Sequence, residues 1–284
     1  MIIDGKKLAE EILAELKKEV KKLPPPLAGA VLVGKNPASR PAAAGRGSPA
    51  LRAAESFLKQ KSKVAEILGI DFEIFKFNSK ILTKNLQGEI LKLNNNKNIN
   101  GIIVQLPLPK HIDTKKILNA ISPKKDIDAL SAKPLVLAPT VEAVKYIFEK
   151  YRISLKNKNI LIVGRGRLVG QPIYNWLSSR TSDRQLMKIN ILDIKQKNQL
   201  PKLARQADII ISGVGNSGLM NGSMVKKNSI LIDFGFSREN GRIGGDFRLE
   251  SCAKKAKLIT PVPGGMGPIM VAMLFKNLFK LSKM

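Results

Sequence analysis

Apolar residues in the first half of the chain alternate between helix-spaced positions and short continuous runs. Apolar side chains recur near the helical period over residues 6–23 and predict an amphipathic helix, which the prolines at 24–26 stop. The apolar run at 28–33 then predicts a short buried strand. The alternation continues with predicted helices at 57–68 and 82–93 and predicted strands at 72–77 and 101–105. Such alternation favours a parallel sheet covered by helices.

A second alternation begins after Pro139. A helix is predicted from there through Tyr151, and four apolar runs predict buried strands at 159–163, 189–192, 208–212 and 229–233. The final helix is predicted from Pro268 to about residue 281, because proline is favourable in the first turn of a helix. These patterns predict a second α/β unit, and the final helix could pack against either unit.

Residues 40–54, RPAAAGRGSPALRAA, differ in composition from both flanks. The stretch holds three Arg and six Ala but no Lys, Ile or Asn, whereas Lys, Ile, Asn and Leu are abundant elsewhere. We interpret it as an insertion between the strand at 28–33 and the helix at 57–68. A long loop costs little closure entropy, about 0.6 kcal/mol for each doubling of its length. We expect the insertion to bulge into solvent, and its Ala and Arg residues could extend the helix backward from Pro49.

Cysteine and histidine usage limits the chemistry available to the chain. Cys252 is the only cysteine, so no intrachain disulfide and no cysteine-rich zinc site can form, and a reducing compartment is expected. His111 is the only histidine, which excludes multi-histidine metal ligation, and we expect it at the surface. With no export signal and no run of about 20 apolar residues, the sequence predicts a cytoplasmic protein that does not span a membrane.

The chain carries a formal net charge of +27 at pH 7. Such a charge attracts anions of any kind, including nucleic acid, acidic membrane surfaces and polyanionic small substrates. The lysines are scattered, however, and aromatic residues make up only 5% of the chain, which is poor for base stacking. We therefore expect solvated charged faces, with steering of small acidic molecules ahead of nucleic-acid binding.

A glycine-rich turn follows the predicted strand at 159–163. Gly164, Gly166 and Gly170 have the spacing G-x-G-x-x-x-G, and a helix is predicted directly after them. Glycine lets the backbone approach a pyrophosphate closely, and the free amides of a helix N-terminus stabilise its charge. This arrangement favours a dinucleotide site, with an ordinary tight strand-to-helix turn as the alternative.

Two charged residues near this turn give conflicting indications of the cofactor. Asp193 ends the next predicted strand, where an acid can bond the ribose 2′-hydroxyl of NAD and repel the 2′-phosphate of NADP. Arg165 lies beside the turn and could instead clamp a 2′-phosphate. A solvated Asp193 with no role in binding is an equal alternative.

Two proline-rich loops are further candidates for ligand contact. Gln105 ends the strand at 101–105 and precedes Leu-Pro-Leu-Pro, and ligands bind at the carboxyl ends of parallel strands. Residues 261–268, PVPGGMGP, place three glycines among three prolines, which predicts a rigid loop that a flat ligand can approach. Taken singly, each loop is more simply explained by loop geometry.

Taken together and in this order, the motifs resemble the bifunctional methylenetetrahydrofolate dehydrogenase/methenyltetrahydrofolate cyclohydrolase family. The resemblance covers nearly the whole chain, and its most specific segments are QLPLP and PVPGG. It implies two α/β domains, the second a Rossmann-type dinucleotide-binding domain, with the C-terminal helix packing back on the first. The segments that carry it are PAS at 37–39, KSK at 61–63, QLPLP at 105–109, KDID at 125–128, the glycine turn at 164–172 and PVPGG at 261–265.

The resemblance also implies domain bounds, reactions and partners. A folate-binding catalytic domain is expected at 1–138 plus 268–284, with the insertion at 40–54, and a Rossmann NAD(P)-binding domain at 139–267. The implied reactions are oxidation of 5,10-methylenetetrahydrofolate with NADP, with NAD as the competing cofactor, and hydrolysis of the product to 10-formyltetrahydrofolate. The implied protein is a cytoplasmic homodimer that binds tetrahydrofolate derivatives and acts in one-carbon metabolism and purine biosynthesis.

Residue by residue, the resemblance assigns the chemistry to three side chains. Lys61 is the catalytic candidate, because a partly desolvated lysine can accept and return protons while water attacks the methenyl carbon. Gln105 is expected to hold Lys61 and the folate in register, and Asp128 to accept hydrogen bonds from the pterin ring. The expected substrate-binding residues are Phe57, Pro263, Gly264 and Gly265, and the expected cofactor-binding residues are Gly164, Arg165, Gly166, Val169, Gly170 and Asp193.

Several residues depart from the family pattern. Phe57 stands where the family has tyrosine, so the ring is kept, the hydroxyl is lost, and reduced activity is expected. Gly166 replaces the usual serine and Asp193 the usual histidine, and both changes remove contacts to a 2′-phosphate. These departures leave open a degraded or regulatory folate-binding homologue with little catalysis. A basic nucleic-acid-binding protein is a more distant alternative.

Overall fold

The computed structural model describes residues 1–20, 26–34, 49–180, 187–239 and 242–284, without the side chains of 49–53, 239 and 242. The chain divides into two compact units. One consists of Ile12–Pro139 and Val271–Met284, and we call it the three-stranded unit after its sheet. The other consists of Met1–Glu11 and Thr140–Met270, and we call it the five-stranded unit.

The three-stranded unit contains a parallel sheet in the order β2-β1-β3. The central strand β1 is buried at every position between its two ends, which explains its continuous apolar sequence. Helix α3 buries Leu86, Ile90 and Leu93, which lie on one face at helical spacing. The strands are β1 Leu27–Gly34, β2 Asp71–Asn78 and β3 Ile99–Val104, and the helices are α1 Gly5–Val20, which begins in the other unit, α2 Pro49–Leu68, α3 Thr83–Asn95 and α4 Thr114–Asn119.

The C-terminal helix α9, Met266–Ser282, packs from Val271 onward within the three-stranded unit. The buried Asn277 side chain donates through Nδ2 to the carbonyl oxygens of Ile127 at 3.0 Å and Leu137 at 2.9 Å. The backbone of β3 lies so close to this helix that a Cβ on Gly101 would come within 2.6 Å of Leu278 Cδ1. The predicted packing of the C-terminal helix on the first α/β unit is therefore confirmed.

The five-stranded unit contains a parallel sheet in the order β10-β7-β6-β4-β5. The chain runs from β4 outward to β5 and then returns to the other side of β4 to form β6. The sheet therefore has its topological switch point between β4 and β6, where open α/β sheets bind ligands. The strands are β4 Lys158–Val163, β5 Met187–Leu192, β6 Ile209–Ser212, β7 Ile230–Asp233 and β10 Leu258–Ile259, and the helices are α5 Pro139–Lys150, α6 Gly170–Ser179, α7 Leu200–Gln206 and α8 Leu249–Ala253.

The first residues of the chain extend the edge of this five-stranded sheet. Ile2 bridges to Ile259, the Ile3 amide donates to the Ile259 carbonyl at 2.9 Å, and the Ile259 amide donates to the Met1 carbonyl at 3.0 Å. These backbone bonds explain why Met1–Glu11 groups with Thr140–Met270, whereas the domain bounds implied by the family resemblance include it in the first domain.

Predicted and observed elements differ mainly at helix starts and in short segments. Helix α2 begins at Pro49 rather than at residue 57, so the backward extension suggested by the sequence is present. The expected bulge of the insertion falls largely on 40–48, outside the described residues. Several short elements were not predicted, because they are too short to show a clear period. They are the helices α4, α7 and α8, strand β10, a 3-10 helix at Ile194–Gln199 and the antiparallel hairpin of β8 Ser237–Glu239 and β9 Arg242–Gly244.

Candidate functional site

Two polar side chains of the three-stranded unit, Gln105 and Asp128, lie next to the Lys61 ammonium group. Lys61 Nζ donates to Gln105 Oε1 at 3.3 Å and lies 3.7 Å from Asp128 Oδ2. The Lys61 and Asp128 side chains are only 12% and 21% exposed. Gln105 Nε2 donates to the Leu106 carbonyl at 3.0 Å, which fixes the amide with its oxygen toward the lysine. The predicted catalytic residues therefore form one cluster.

Each member of this cluster is positioned by a different element. Lys61 lies on α2 one turn after Phe57, so the two residues share a face of the helix. Gln105 follows β3 directly, and its backbone N–H donates to the Val31 carbonyl of β1 at 2.9 Å. Gln105 therefore lies at the carboxyl edge of the sheet. Asp128 lies in a turn after helix α4, within the segment 125–128.

The neighbours of Asp128 in this segment have structural roles. Lys125 Nζ donates to the carbonyls of Leu93, Asn94 and Asn96 at 3.2, 2.7 and 2.7 Å. These bonds give hydrogen-bond donors to carbonyl groups at the C-terminal end of α3. Asp126 is fully buried and accepts from the amides of Leu130 at 3.1 Å and Ser131 at 2.7 Å. These bonds hold the turn that presents Asp128.

Burial raises the pKa of the Asp128 carboxyl above its ordinary value, and the nearby Asp126 acts in the same direction. The Lys61 charge opposes this shift through its Coulomb attraction and its hydrogen bond. Asp128 is therefore more readily protonated than an exposed aspartate. When protonated, its carboxyl can donate a hydrogen bond, whereas the ionised form can only accept.

The predicted glycine turn lies at the carboxyl end of β4, at the switch point of the five-stranded sheet. Gly164 adopts φ +96°, a conformation that favours glycine. A Cβ on Gly170 would lie 1.8 Å from the Gly164 carbonyl oxygen, so helix α6 begins against the turn. A Cβ on Gly166 would meet nothing within 4 Å, and that side of the turn is open. Val169 precedes the first residue of α6.

The two residues with conflicting cofactor preferences both lie at this edge. Val163 pairs with Leu192, and the Gly164 amide donates to the Leu192 carbonyl at 2.8 Å, so Asp193 follows a strand end adjacent to the turn. Asp193 Oδ1 accepts from the Lys195 amide at 2.9 Å and caps the 3-10 helix. Arg165 is exposed beside the turn.

The proline- and glycine-rich segment PVPGG at 261–265 belongs to the five-stranded unit. The amide of Gly5 donates to the Gly264 carbonyl at 2.9 Å, and a Cβ on Gly5 would meet the Gly265 oxygen at 1.8 Å. Gly264 has φ +92°, and a Cβ on Gly265 would lie 2.3 Å from the Pro261 oxygen. Pro263, the remaining predicted substrate contact, follows a cis peptide bond. Glycine is thus required at both predicted positions.

Two buried carboxylates near the switch point were not singled out from the sequence. Asp246 is fully buried and Asp233 is 2% exposed, and both accept several hydrogen bonds from surrounding loops. The available signal was the sequence Gly244-Gly245-Asp246, because paired glycines before an acid indicate close backbone approach to that side chain.

Other features of the described residues add no second site. The single histidine, His111, is exposed and lies 3.0 Å through Nε2 from the Ile81 carbonyl oxygen. Among the residues with described placement, no group of three or more His, Cys, Asp or Glu side chains could hold a metal ion. Within the same ranges, no helix is long and apolar enough to cross a membrane.

A doubly wound parallel sheet with a glycine turn at its switch point defines a class, the dinucleotide-binding α/β proteins. The polar cluster at the sheet edge of the other unit places this chain among the enzymes of that class. The chain belongs to the tetrahydrofolate dehydrogenase/cyclohydrolase family. Residues 3–128 match the model of its catalytic domain and residues 138–284 the model of its NAD(P)-binding domain.

Individual relatives match over nearly their full length. The "Bifunctional protein FolD" of Nautilia profundicola is 40% identical over a 297-residue alignment that covers 99% of this chain and 97% of the relative. The crystal structure of the bifunctional FolD dehydrogenase/cyclohydrolase of Campylobacter jejuni superposes with a TM-score of 0.86, at 32% identity, covering 100% of this chain and 98% of that one. The Trypanosoma brucei enzyme, complexed with NADP cofactor and inhibitor, also gives a TM-score of 0.86, at 26% identity, and covers 100% of this chain and 97% of that one.

Proposed function

We propose that this chain oxidises 5,10-methylenetetrahydrofolate to 5,10-methenyltetrahydrofolate with NADP and hydrolyses that product to 10-formyltetrahydrofolate. The observation that carries the proposal is the cluster of Lys61, Gln105 and Asp128 in a family whose models name both activities. With Phe57 at the tyrosine position of the family, Lys61 still contacts both Gln105 and Asp128. The proposed catalytic residues are Lys61, Gln105 and Asp128, and the proposed substrate-binding residues are Phe57, Pro263, Gly264 and Gly265.

Hydrolysis requires water to add to the methenyl carbon, the bond from that carbon to N5 to break, and one proton to leave. We assign to the Lys61 amine the transfer of a proton from the attacking water and of a proton to the departing nitrogen. Gln105 holds the amine through its Oε1, and this contact limits the positions that Nζ can occupy. Asp128 would bond the donor groups of the pterin ring and fix its orientation next to Lys61.

Dehydrogenation requires a dinucleotide, and the geometry of the glycine turn fits one. The open space at Gly166 and the close contact of Gly170 with Gly164 allow backbone amides to approach a pyrophosphate. The residues proposed to hold the cofactor are Gly164, Arg165, Gly166, Val169, Gly170 and Asp193. When bound, NADP supplies the acceptor for the hydride of the methylene carbon, and the protein supplies its orientation.

The choice between NADP and NAD depends on Asp193 and Arg165. NADP is supported by the Trypanosoma brucei relative, whose structure holds that cofactor. Arg165 is exposed beside the turn, where its guanidinium could bind a 2′-phosphate. Asp193 caps the 3-10 helix through Oδ1, and its Oδ2 could accept from the ribose 2′-hydroxyl of NAD. We therefore propose NADP as the cofactor and expect NAD to support a measurable rate.

The remaining expectations extend this proposal to the whole protein. We assign folate chemistry to the domain expected at 1–138 plus 268–284 and dinucleotide binding to that at 139–267. We further propose a homodimer that acts in the cytoplasm, where 10-formyltetrahydrofolate supplies one-carbon units for purine biosynthesis. Sedimentation of the purified chain tests the dimer directly.

The experiment that tests the function compares both activities in the wild type and in matched lysine variants. Purified protein is assayed for reduction of NADP and of NAD with methylenetetrahydrofolate, and separately for methenyltetrahydrofolate hydrolysis. Lys61→Met should lower the hydrolysis rate by about 100-fold or more, the usual contribution of a proton-transfer group. Lys59→Met changes an exposed lysine on the same helix and should leave both rates unchanged.

Two results would contradict the proposal. Hydrolysis by Lys61→Met at the wild-type rate would remove lysine from the mechanism. Folate binding without turnover on either cofactor, and without hydrolysis, would identify a non-catalytic folate-binding homologue.

A further inference from the structure

We propose that Asp246 is a positioning residue for the dinucleotide, through its hold on the loop after β6. The inference rests on the proposed function, since it concerns the same cofactor site. Asp246 is buried, and none of its described hydrogen bonds is made to the glycine turn at 164–172 or to the Lys61 cluster. Asp246 and every residue that it contacts through these bonds belong to the five-stranded unit.

Asp246 binds three donors from one short segment of the chain. Its Oδ2 accepts from the Ser212 hydroxyl at 2.6 Å and from the Val214 amide at 2.8 Å, and its Oδ1 accepts from the Asn216 amide at 2.8 Å. Both carboxylate oxygens are therefore committed to residues 212–216. Three hydrogen bonds to one buried side chain therefore hold this loop.

The loop held in this way forms the second side of the switch point. Ser212 ends β6, and its register partner on β4 is Val163, the residue before the glycine turn. A Cβ on Gly164 would lie 3.3 Å from both the Gly213 oxygen and Val214 Cγ2. A Cβ on Gly213 would lie 2.6 Å from Val169 Cγ1. Residues 213 and 214 are thus in direct packing contact with the turn that we propose holds the pyrophosphate.

Asp246 is itself fixed by the neighbouring strand end. Its amide donates to Asp233 Oδ1 at 3.2 Å, and Asp233 is the last residue of β7. A Cβ on Gly235 would lie 2.3 Å from Asp246 Oδ1, so the chain passes directly over the carboxylate. The Asp246 side chain is thus buried and closely packed, and we expect a change in its hydrogen bonding to displace the loop at 212–216.

The Asp246→Asn variant tests this role with a side chain of the same shape. The amide keeps one acceptor oxygen but turns an NH2 group toward donors that the second oxygen had satisfied. Direct titration calorimetry should show NADP binding weakened at least tenfold, and the KM for NADP should rise more than kcat falls. Methenyltetrahydrofolate hydrolysis uses no dinucleotide and should stay within twofold of the wild type.

Asp208→Asn is the matched control. Asp208 also accepts a backbone amide, that of Asn159 at 2.9 Å, but it precedes β6 at the opposite edge of the same sheet. Its Oδ1 accepts from Lys226 Nζ at 2.6 Å. Asp208 is half-buried, and this variant should leave the Kd for NADP within twofold, which separates loss of a loop-holding acid at the switch point from loss of another hydrogen-bonded acid of the same sheet.

The outcomes are distinguishable. An Asp246→Asn protein that binds NADP within twofold of the wild-type Kd overturns the inference while leaving the proposed function intact. Should Asp246→Asn fail to fold, Ser212→Ala removes one of the three donors, and it should weaken NADP binding about threefold with hydrolysis retained; unchanged binding overturns the inference. A wild-type protein that binds neither NADP nor NAD overturns the proposed function and this inference together.

Discussion

The Gly170→Ala substitution, which adds one methyl group, tests how closely the start of helix α6 packs against the glycine turn. In the native structure an added Cβ would lie 1.8 Å from the Gly164 carbonyl oxygen and 2.9 Å from its carbon. Cβ atoms essentially never approach closer than 3.0 Å to such neighbours. The start of α6 must therefore move away from the turn by about 1.2 Å, the difference between 3.0 and 1.8 Å.

The size of this displacement sets the expected effect of Gly170→Ala. Overpacking of this kind typically costs about 1–3 kcal/mol of stability. For a unit of this size each kcal/mol lowers Tm by roughly 2–4 °C. A misplacement of about 1 Å at a reacting group can lower a rate by roughly 100-fold, which is about 2.7 kcal/mol, so the loss of NADP-dependent turnover should be as large in free energy as the loss of stability. Hydrolysis by the Lys61 cluster should continue, because its residues belong to the other unit.

The assay follows thermal unfolding, NADP binding and both activities in parallel. Gly88→Ala is the control for adding a methyl group, because its Cβ would meet nothing within 4 Å and the residue lies inside helix α3. This control should keep both activities and gain about 0.5–1 kcal/mol, the usual preference for Ala over Gly in a helix. A Gly170→Ala protein with the wild-type Tm and the wild-type KM for NADP would refute the packing argument.

Two further predictions concern pH and the insertion. Burial raises the pKa of Asp233 from 3.8 to about 7, despite hydrogen bonds that lower it. The folded state thus keeps a proton that the unfolded state releases, and stability should fall by a few kcal/mol, as an order of magnitude, while the pH rises from about 4 to about 7. Thermal unfolding across this window should show a steeper decline for the wild type than for Asp233→Asn, and equal slopes would contradict the assignment. Deletion of residues 40–48, which stops short of helix α2 at Pro49, should leave hydrolysis within about twofold, because loop length has little energetic weight. A large gain in rate would instead indicate that the insertion obstructs the site.

The sequence predicted the α/β alternation because that information is local. The continuous apolar run of β1 and the helical spacing of Leu86, Ile90 and Leu93 each report burial within a single element. Short elements such as α4 carried no such signal. The six residues of α4 are stabilised by the Asp113 side chain, which accepts from the Lys116 amide at 2.9 Å.

The candidate site was predictable only in part, for a related reason. Its residue types and their order along the chain were readable, and so was the glycine turn, because a turn joins residues that are adjacent in sequence. That Lys61 contacts Gln105, 44 positions away, follows from the sheet register and the placement of α2. No local period encodes such a contact.

The sequence by itself determined the class of most segments, the candidate catalytic residues and the need for glycine where the backbone must turn or pass closely. Tertiary structure alone decided that β6 returns beside β4, that Met1–Glu11 joins the five-stranded unit, and that Asp246 holds a loop 34 residues before it. The physical reason is that burial and turn formation depend on neighbouring residues. Strand order and buried hydrogen-bond partners depend on how distant segments close on one another.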